Sequence, residues 1–228
     1  MSHLESDFFI GIDLGGKEKK TTSICILEKR EGGLFVQEIF CKKCENIFGK
    51  DVLTKIRPYL KGAKVIAVDA PLTLGAGKGE MRLFEKFLSQ KIFREEGVNP
   101  LPPALMAKFC SFARELARKL ENQGFALDIN LIEVFPAFVK KIIREENWQK
   151  TVRCQRRESE NQKSSLICAV LAYLHYTFET RYLGYRDGFL FLPEMSFWKK
   201  EWQDKFYQAW QEKPYLNYRR LITNLFSK

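Results

Sequence analysis

The chain has 228 residues, 45% of them hydrophobic and 29% charged, which suits one large core and an ordinary globular composition. No stretch reaches the roughly 18 uncharged apolar residues of a membrane span, and the N-terminal Met1 to Asp7 carries acids where a leader would carry bases before an apolar run, so the expectation is a cytoplasmic protein with no membrane association. The formal net charge of +10 points to polyanion partners, nucleic acid first, because neutralising phosphates releases condensed counterions.

Phe8 to Leu14 is an apolar run ending at Asp13 and Gly15-Gly16, the pattern of a buried strand entering a tight turn. Thr21 to Leu27 is β-branched and apolar, Leu34 to Phe40 alternates, and the short connections predict an antiparallel meander. Cys41 and Cys44 form a Cys-x-x-Cys pair without the second pair or neighbouring histidines that zinc requires. Cys25, Cys110 and Cys168 sit in apolar surroundings and read as small core residues. Asp51 to Leu60 has helical spacing, with Val52, Leu53, Ile56 and Leu60 on one face.

Val65 to Val68 is a wholly apolar strand that stops at Asp69-Ala70-Pro71, since Pro71 cannot continue a central strand. A glycine-bearing loop (Gly75, Gly77, Gly79) leads into helical patterns over residues 80–93 and 103–123, the second stopped by Gly124. Residues 129–135 form another strand, ending Glu133-Val134-Phe135-Pro136. A polar stretch holding Arg153, Arg156, Arg157 and Glu160 precedes a strongly apolar helix over 164–178, and residues 187–193 form a last short strand. Trp198, Trp202, Phe206 and Trp210 recur every four residues among lysines. Such a stripe either stacks on unpaired bases or packs on the core while its lysines face water, and the second is favoured. The chain divides into residues 1–194, one domain, and residues 195–228, an aromatic and basic helical extension packed on it.

Three strands in a meander followed by strands alternating with helices predict an α/β fold with a mixed sheet of five strands and helices on its faces. In such sheets, sites lie beyond the carboxyl ends of the parallel strands. Asp69 and Glu133 sit at or near two such ends, and Asp13 sits at a third if the first strand runs parallel to them. An acid at the end of an apolar strand is costly unless paired, hydrogen-bonded or bound to a cation. Three together would raise one another's pKa or demand a metal. Mg²⁺ or Mn²⁺ fits hard oxygen ligands and phosphate substrates, and two such ions can drive phosphodiester hydrolysis.

The phrases Gly11-Ile12-Asp13-Leu14, Val65 to Leu72 (Val-Ile-Ala-Val-Asp-Ala-Pro-Leu), Arg82-Leu83-Phe84-Glu85, Ile132 to Ala137 (Ile-Glu-Val-Phe-Pro-Ala) and Leu166-Ile167-Cys168-Ala169 occur in that order. The sequence thereby resembles the domain-of-unknown-function 429 family, whose members are predicted nucleases of ribonuclease H-like fold, over about residues 8–193. The resemblance implies that Asp13, Asp69 and Glu133 are acidic motif positions. It also implies that Arg82 follows the second motif, to hold a phosphate or pair with an acid. One departure stands out: Ser164 occupies the place where the family usually carries an Asp, and Glu160, four residues earlier, is the nearest carboxylate on that helix face. The resulting expectation is a metal-dependent nuclease with Asp13, Asp69 and Glu133 as metal ligands, Glu160 completing the catalytic set, and Arg82, Arg153, Arg156 and Arg157 contacting phosphate. A catalytically weakened nucleic-acid-binding protein on the same scaffold is the alternative. A phosphotransferase of the sugar-kinase or actin type is a third, with one lobe where those proteins use two.

Overall fold

A computed structural model describes residues 6–19, 21–40, 47–74, 80–144, 152–153, 160–213 and 222–223. The chain opens with β1 (Asp7–Asp13), β2 (Ser23–Arg30) and β3 (Gly33–Phe40), an antiparallel meander as the short connections predict. A short helix, α1 (Val52–Ile56), carries the chain across the sheet to β4 (Ala63–Asp69), which lies parallel to β1 on its other side. After α2 (Leu83–Leu88), α3 (Lys91–Arg94) and α4 (Ala107–Glu121), β5 (Leu131–Glu133) adds parallel to β4.

The central sheet therefore has the five-strand order β3-β2-β1-β4-β5 within a mixed, helix-flanked α/β architecture, an arrangement consistent with the ribonuclease H type. One addition was not foreseen: a two-residue strand, β6 (Val152–Arg153), pairs parallel to β3 and extends the edge to six strands. It follows α5 (Pro136–Ile142) and precedes α6 (Glu160–Tyr176). The segment beyond α6 is a hairpin rather than a single strand. Here β7 (Thr180–Tyr185) pairs with β8 (Gly188–Pro193) and, on its far side, with β9 (Ile222–Thr223), in a second small sheet. The last helix, α7 (Lys200–Gln211), lies between β8 and β9 in the chain.

Alternation along the strands sorts the apolar residues into two cores, one on each face. Ile10, Ile12, Ile24, Ile26, Ile66, Val68 and Leu131 face α1 and α4. Phe9, Cys25, Leu27, Val65, Ala67 and Ile132 face the other way, toward α6. α6 is buried along every residue from Ser165 to Ala172, because the sheet covers one side of it and α5 and β8 contact it elsewhere. That is why its sequence lacks a polar face. Gly11 makes this packing possible: a Cβ there would lie 2.1 Å from the Ser165 carbonyl oxygen and 2.2 Å from the Ala169 nitrogen. The aromatic stripe joins the same core, with Trp198 in extended backbone just before α7 and the rest on the helix. Trp198 and Phe206 are fully buried, Trp202 nearly so, and their rings meet Phe87, Phe93 and Phe138. This agrees with the packing reading of the stripe. Cys25, Cys110 and Cys168 are buried free thiols, as expected of core cysteines. Cys41, Cys44 and the glycine loop at 75–79 lie outside the described residues. No helix among the described residues is long and apolar enough to cross a membrane.

Candidate active site

β1 and β4 are parallel and in register, so Asp13 stands directly beside Asp69 at their carboxyl ends. Both follow the alternation of Phe9, Gly11, Val65 and Ala67 and emerge on the α6 face. Glu133 closes β5 at the same end of the sheet but pairs with Val68 rather than Asp69. Its parity is that of Val68 and Leu131, and it enters the face covered by α4. The three strand-end acids thus share an end of the sheet and split between its two faces.

On the α6 face, Asp13 accepts a hydrogen bond from the Ser164 hydroxyl. Ser164 in turn accepts one from Lys140 Nζ at 3.0 Å. Lys140 comes from α5, directly after β5, and Ser164 from the first turns of α6. Burial pushes the Asp13 carboxyl up to about 6, with Lys140 and the Ser164 bond pulling against it. Asp69 is pushed well above the usual carboxylate range, by burial first and then by the charges of Asp13 and Glu133. Lys140 opposes that shift too. Two adjacent carboxylates that resist ionisation together invite a cation between them.

At Glu133, Arg82 is 1% exposed and forms a fork: Nη1 to Oε2 and Nη2 to Oε1, both 2.7 Å. The same guanidinium donates to Glu85 Oε1 from Nε at 3.0 Å and from Nη2 at 2.6 Å. Glu85 also accepts from the Arg82 backbone N–H at the start of α2. The Leu72 N–H completes the Glu133 shell at 2.9 Å. Burial raises the Glu133 carboxyl, opposed by the guanidinium and by Leu72. The two carboxylates hold Arg82 firmly charged. Of the two roles the resemblance leaves open for Arg82, the geometry realises the pairing with acids.

The tip of the β7–β8 hairpin locks this cluster from outside. Asp187 Oδ2 accepts from the Leu83 N–H at 2.7 Å, and the Asp187 carbonyl accepts from Thr73 Oγ1 at 3.1 Å. Thr73 Oγ1 in turn accepts from Arg82 Nη1 at 3.1 Å. Gly188, at φ +135°, passes so close that a Cβ would lie 2.3 Å from Thr73 Oγ1.

Sequence reasoning missed Lys140, Glu85 and Asp187. Glu85 had a signal, since a glutamate three residues after the residue preceding a helix often bonds back to that residue's N–H. Lys140 and Asp187 had none, because tertiary packing alone brings them to the site. Arg153 stands in β6, three strands from β1 across the sheet. Its side chain, that of Glu160 at the start of α6, and all of Arg156 and Arg157 lie outside the described residues.

Asp13, Asp69 and the Ser164 hydroxyl form a hard oxygen donor set. Mg²⁺ is commonly held by one or two carboxylates together with waters and substrate phosphate, so these residues fit one divalent ion. Among the described residues, no three His, Cys, Asp or Glu side chains gather as a ligand set.

A mixed α/β sheet carrying two in-register acids at the ends of adjacent parallel strands defines the class. Within it, residues 11–160 match the family described as "Protein of unknown function (DUF429)". The chain belongs to that family. No curated protein and no solved structure matches the chain.

Proposed function

We propose that the protein hydrolyses phosphodiester bonds of nucleic acid at the Asp13–Asp69 pair. The observation that carries this reading is the register of β1 and β4, which sets two pKa-raised carboxylates side by side at the carboxyl end of a parallel strand pair. Carboxylates so placed serve to concentrate a cation where a phosphate can reach it. The net charge of +10 supports a polyanionic substrate.

Asp13 and Asp69 would hold one divalent ion, Mg²⁺ or Mn²⁺, which supplies Lewis acidity and a water of lowered pKa when bound. Ser164 orients the Asp13 carboxylate. Lys140, bonded to Ser164, adds a fixed positive charge that favours the approach of a phosphate and the charge developing on it. Arg82 and Glu133 brace the loop after β4 through Thr73 and Leu72, and so position Asp69.

A second reading, a nucleic-acid-binding protein without efficient hydrolysis, is favoured by one observation. The Lys140–Ser164 pair already sets a cation against Asp13, in the place where a further carboxylate would strengthen metal binding. Incubation of labelled single-stranded, duplex, hybrid and branched oligonucleotides in Mg²⁺ or Mn²⁺, beside Asp13→Asn and Asp69→Asn, separates the two. Cleavage that requires metal and disappears in both variants is expected. Salt-sensitive binding without cleavage would establish the second reading.

A further inference from the structure

A cavity of about 270 Å³, bordered by Asp69 and by Leu14 next to Asp13, opens to solvent. Pro71 of the loop after β4, Phe84, Phe109 and Phe135 form its walls, and Leu101 stands at its rim, 50% exposed. The Arg82 guanidinium stacks 4.4 Å above the Phe84 ring centroid, so the aromatic wall is backed by a rigid, buried ionic cluster. The walls come from four separate segments that the fold brings together.

The volume falls just under the 300–1,000 Å³ of pockets for drug-sized ligands. It admits one flat ring system and little more. Most of its lining is apolar and aromatic, which suits a π-face; Asn99 and the Arg82, Glu85 and Glu133 side chains also border it, but the guanidinium is already shared between the two carboxylates and Thr73. Asp69 lies in its wall, so a group seated there adjoins the Asp13–Asp69 pair. A base stacked in a duplex has both faces covered, and entry into a walled pocket requires an unpaired base or one turned out of the helix.

We propose that this cavity receives a single unpaired nucleobase next to the phosphate at the acid pair, making single-stranded or locally opened nucleic acid the substrate. The proposal rests on the nucleic-acid reading of the acid pair but not on the occurrence of hydrolysis. Stacking of one base on aromatic side chains changes affinity by roughly 1–3 kcal/mol, and about 1.4 kcal/mol corresponds to tenfold in affinity.

The test is equilibrium binding by fluorescence anisotropy, in EDTA so that no turnover occurs. A labelled pyrimidine dodecamer is compared with a fully abasic strand of the same length and charge. The wild-type protein should prefer the base-bearing strand by about tenfold. Phe109→Ala, which removes a wall, and Leu101→Trp, which closes the mouth from an exposed position and leaves the core untouched, should each bring the two strands to within about twofold. Equal affinity of the wild type for the two strands, or no binding of either, overturns the proposal. So does a preference that survives in both variants. A preference abolished by both variants, in a protein that cuts no substrate in Mg²⁺ or Mn²⁺, would remove the hydrolytic reading and leave the base pocket in place.

Discussion

Asp13 illustrates how a single carboxyl becomes a functional handle. In the unfolded chain it titrates near 3.8, and in the fold near 6. A folded-state pKa above the unfolded one means that ionisation opposes folding. Stability is whole below about pH 3.8 and is lost as pH rises through about 6. Asp13→Asn should therefore raise the melting temperature at pH 8 and leave it nearly unchanged at pH 3.5, as followed by thermal denaturation at both. For the same reason, millimolar Mg²⁺ should raise the wild-type melting temperature at pH 8 and should do so much less in Asp13→Asn. An equal shift in the two proteins would place the ion elsewhere. Arg82 is the opposite case, a charge that must stay. Replacing it with Met leaves Glu133 and Glu85 buried without their shared cation. The expected loss is about 3–5 kcal/mol in urea denaturation, and a loss under about 1 kcal/mol would mean that water reaches the cluster.

Strands and helices set what these residues can do. Gly11 is where α6 touches β1, and the helix carries Ser164 to Asp13 across that contact. Gly11→Ala should cost about 1–3 kcal/mol through overpacking, readable as a lowered urea midpoint. It should also displace Ser164 and move the Asp13 titration upward in carboxyl NMR spectra. The hairpin β7–β8 acts on the Arg82–Glu133 cluster. Asp187→Ala removes the carboxylate that receives the Leu83 N–H at the head of α2, for which about 1 kcal/mol is the usual cost of a lost cap. Most elements were legible from periodicity. The strands ending at Asp13 and Asp69, the meander and the apolar helix after Lys163 all lie within a few residues of expectation. The expected single helix over 80–93 divides into α2 and α3, and 103–123 opens with a 3-10 turn over Pro103–Met106 before α4 begins. Periodicity marks a buried face but does not distinguish one helix from two that share that face. The segment over 187–193 read as a lone strand because Thr180–Tyr185, its partner, alternates weakly and contains Gly184.

Across the whole molecule, the two faces of one sheet are occupied by different chemistry, and the aromatic C-terminal helix belongs to the same packing unit as the site. Trp202 is 4% exposed and meets the ring of Phe138, two residues before Lys140 in α5. Trp202→Ala should cost about 3–5 kcal/mol. If α7 and the sheet form one cooperative unit, tryptophan fluorescence and far-ultraviolet circular dichroism should report a single coincident transition. Two separated transitions would mean that α7 unfolds by itself.

The sequence by itself determined the class of fold, because hydrophobic periodicity and turn residues are local signals that survive without any knowledge of pairing. It also placed Asp13, Asp69 and Glu133 at or near strand ends, while the parallel pairing of β1 with β4 decided that Asp13 shares the carboxyl end of the sheet with the other two. Only the tertiary structure decided which face each acid enters. A strand's side chains alternate, so a one-residue offset in the β4–β5 register sends Glu133 to Arg82 while Asp13 and Asp69 remain together. Packing of α5 and α6 likewise decided that Lys140 and Ser164 meet Asp13, and the meeting of four separate segments opened the aromatic cavity beside Asp69. Such contacts join residues far apart in the chain, and no local pattern in the sequence encodes them.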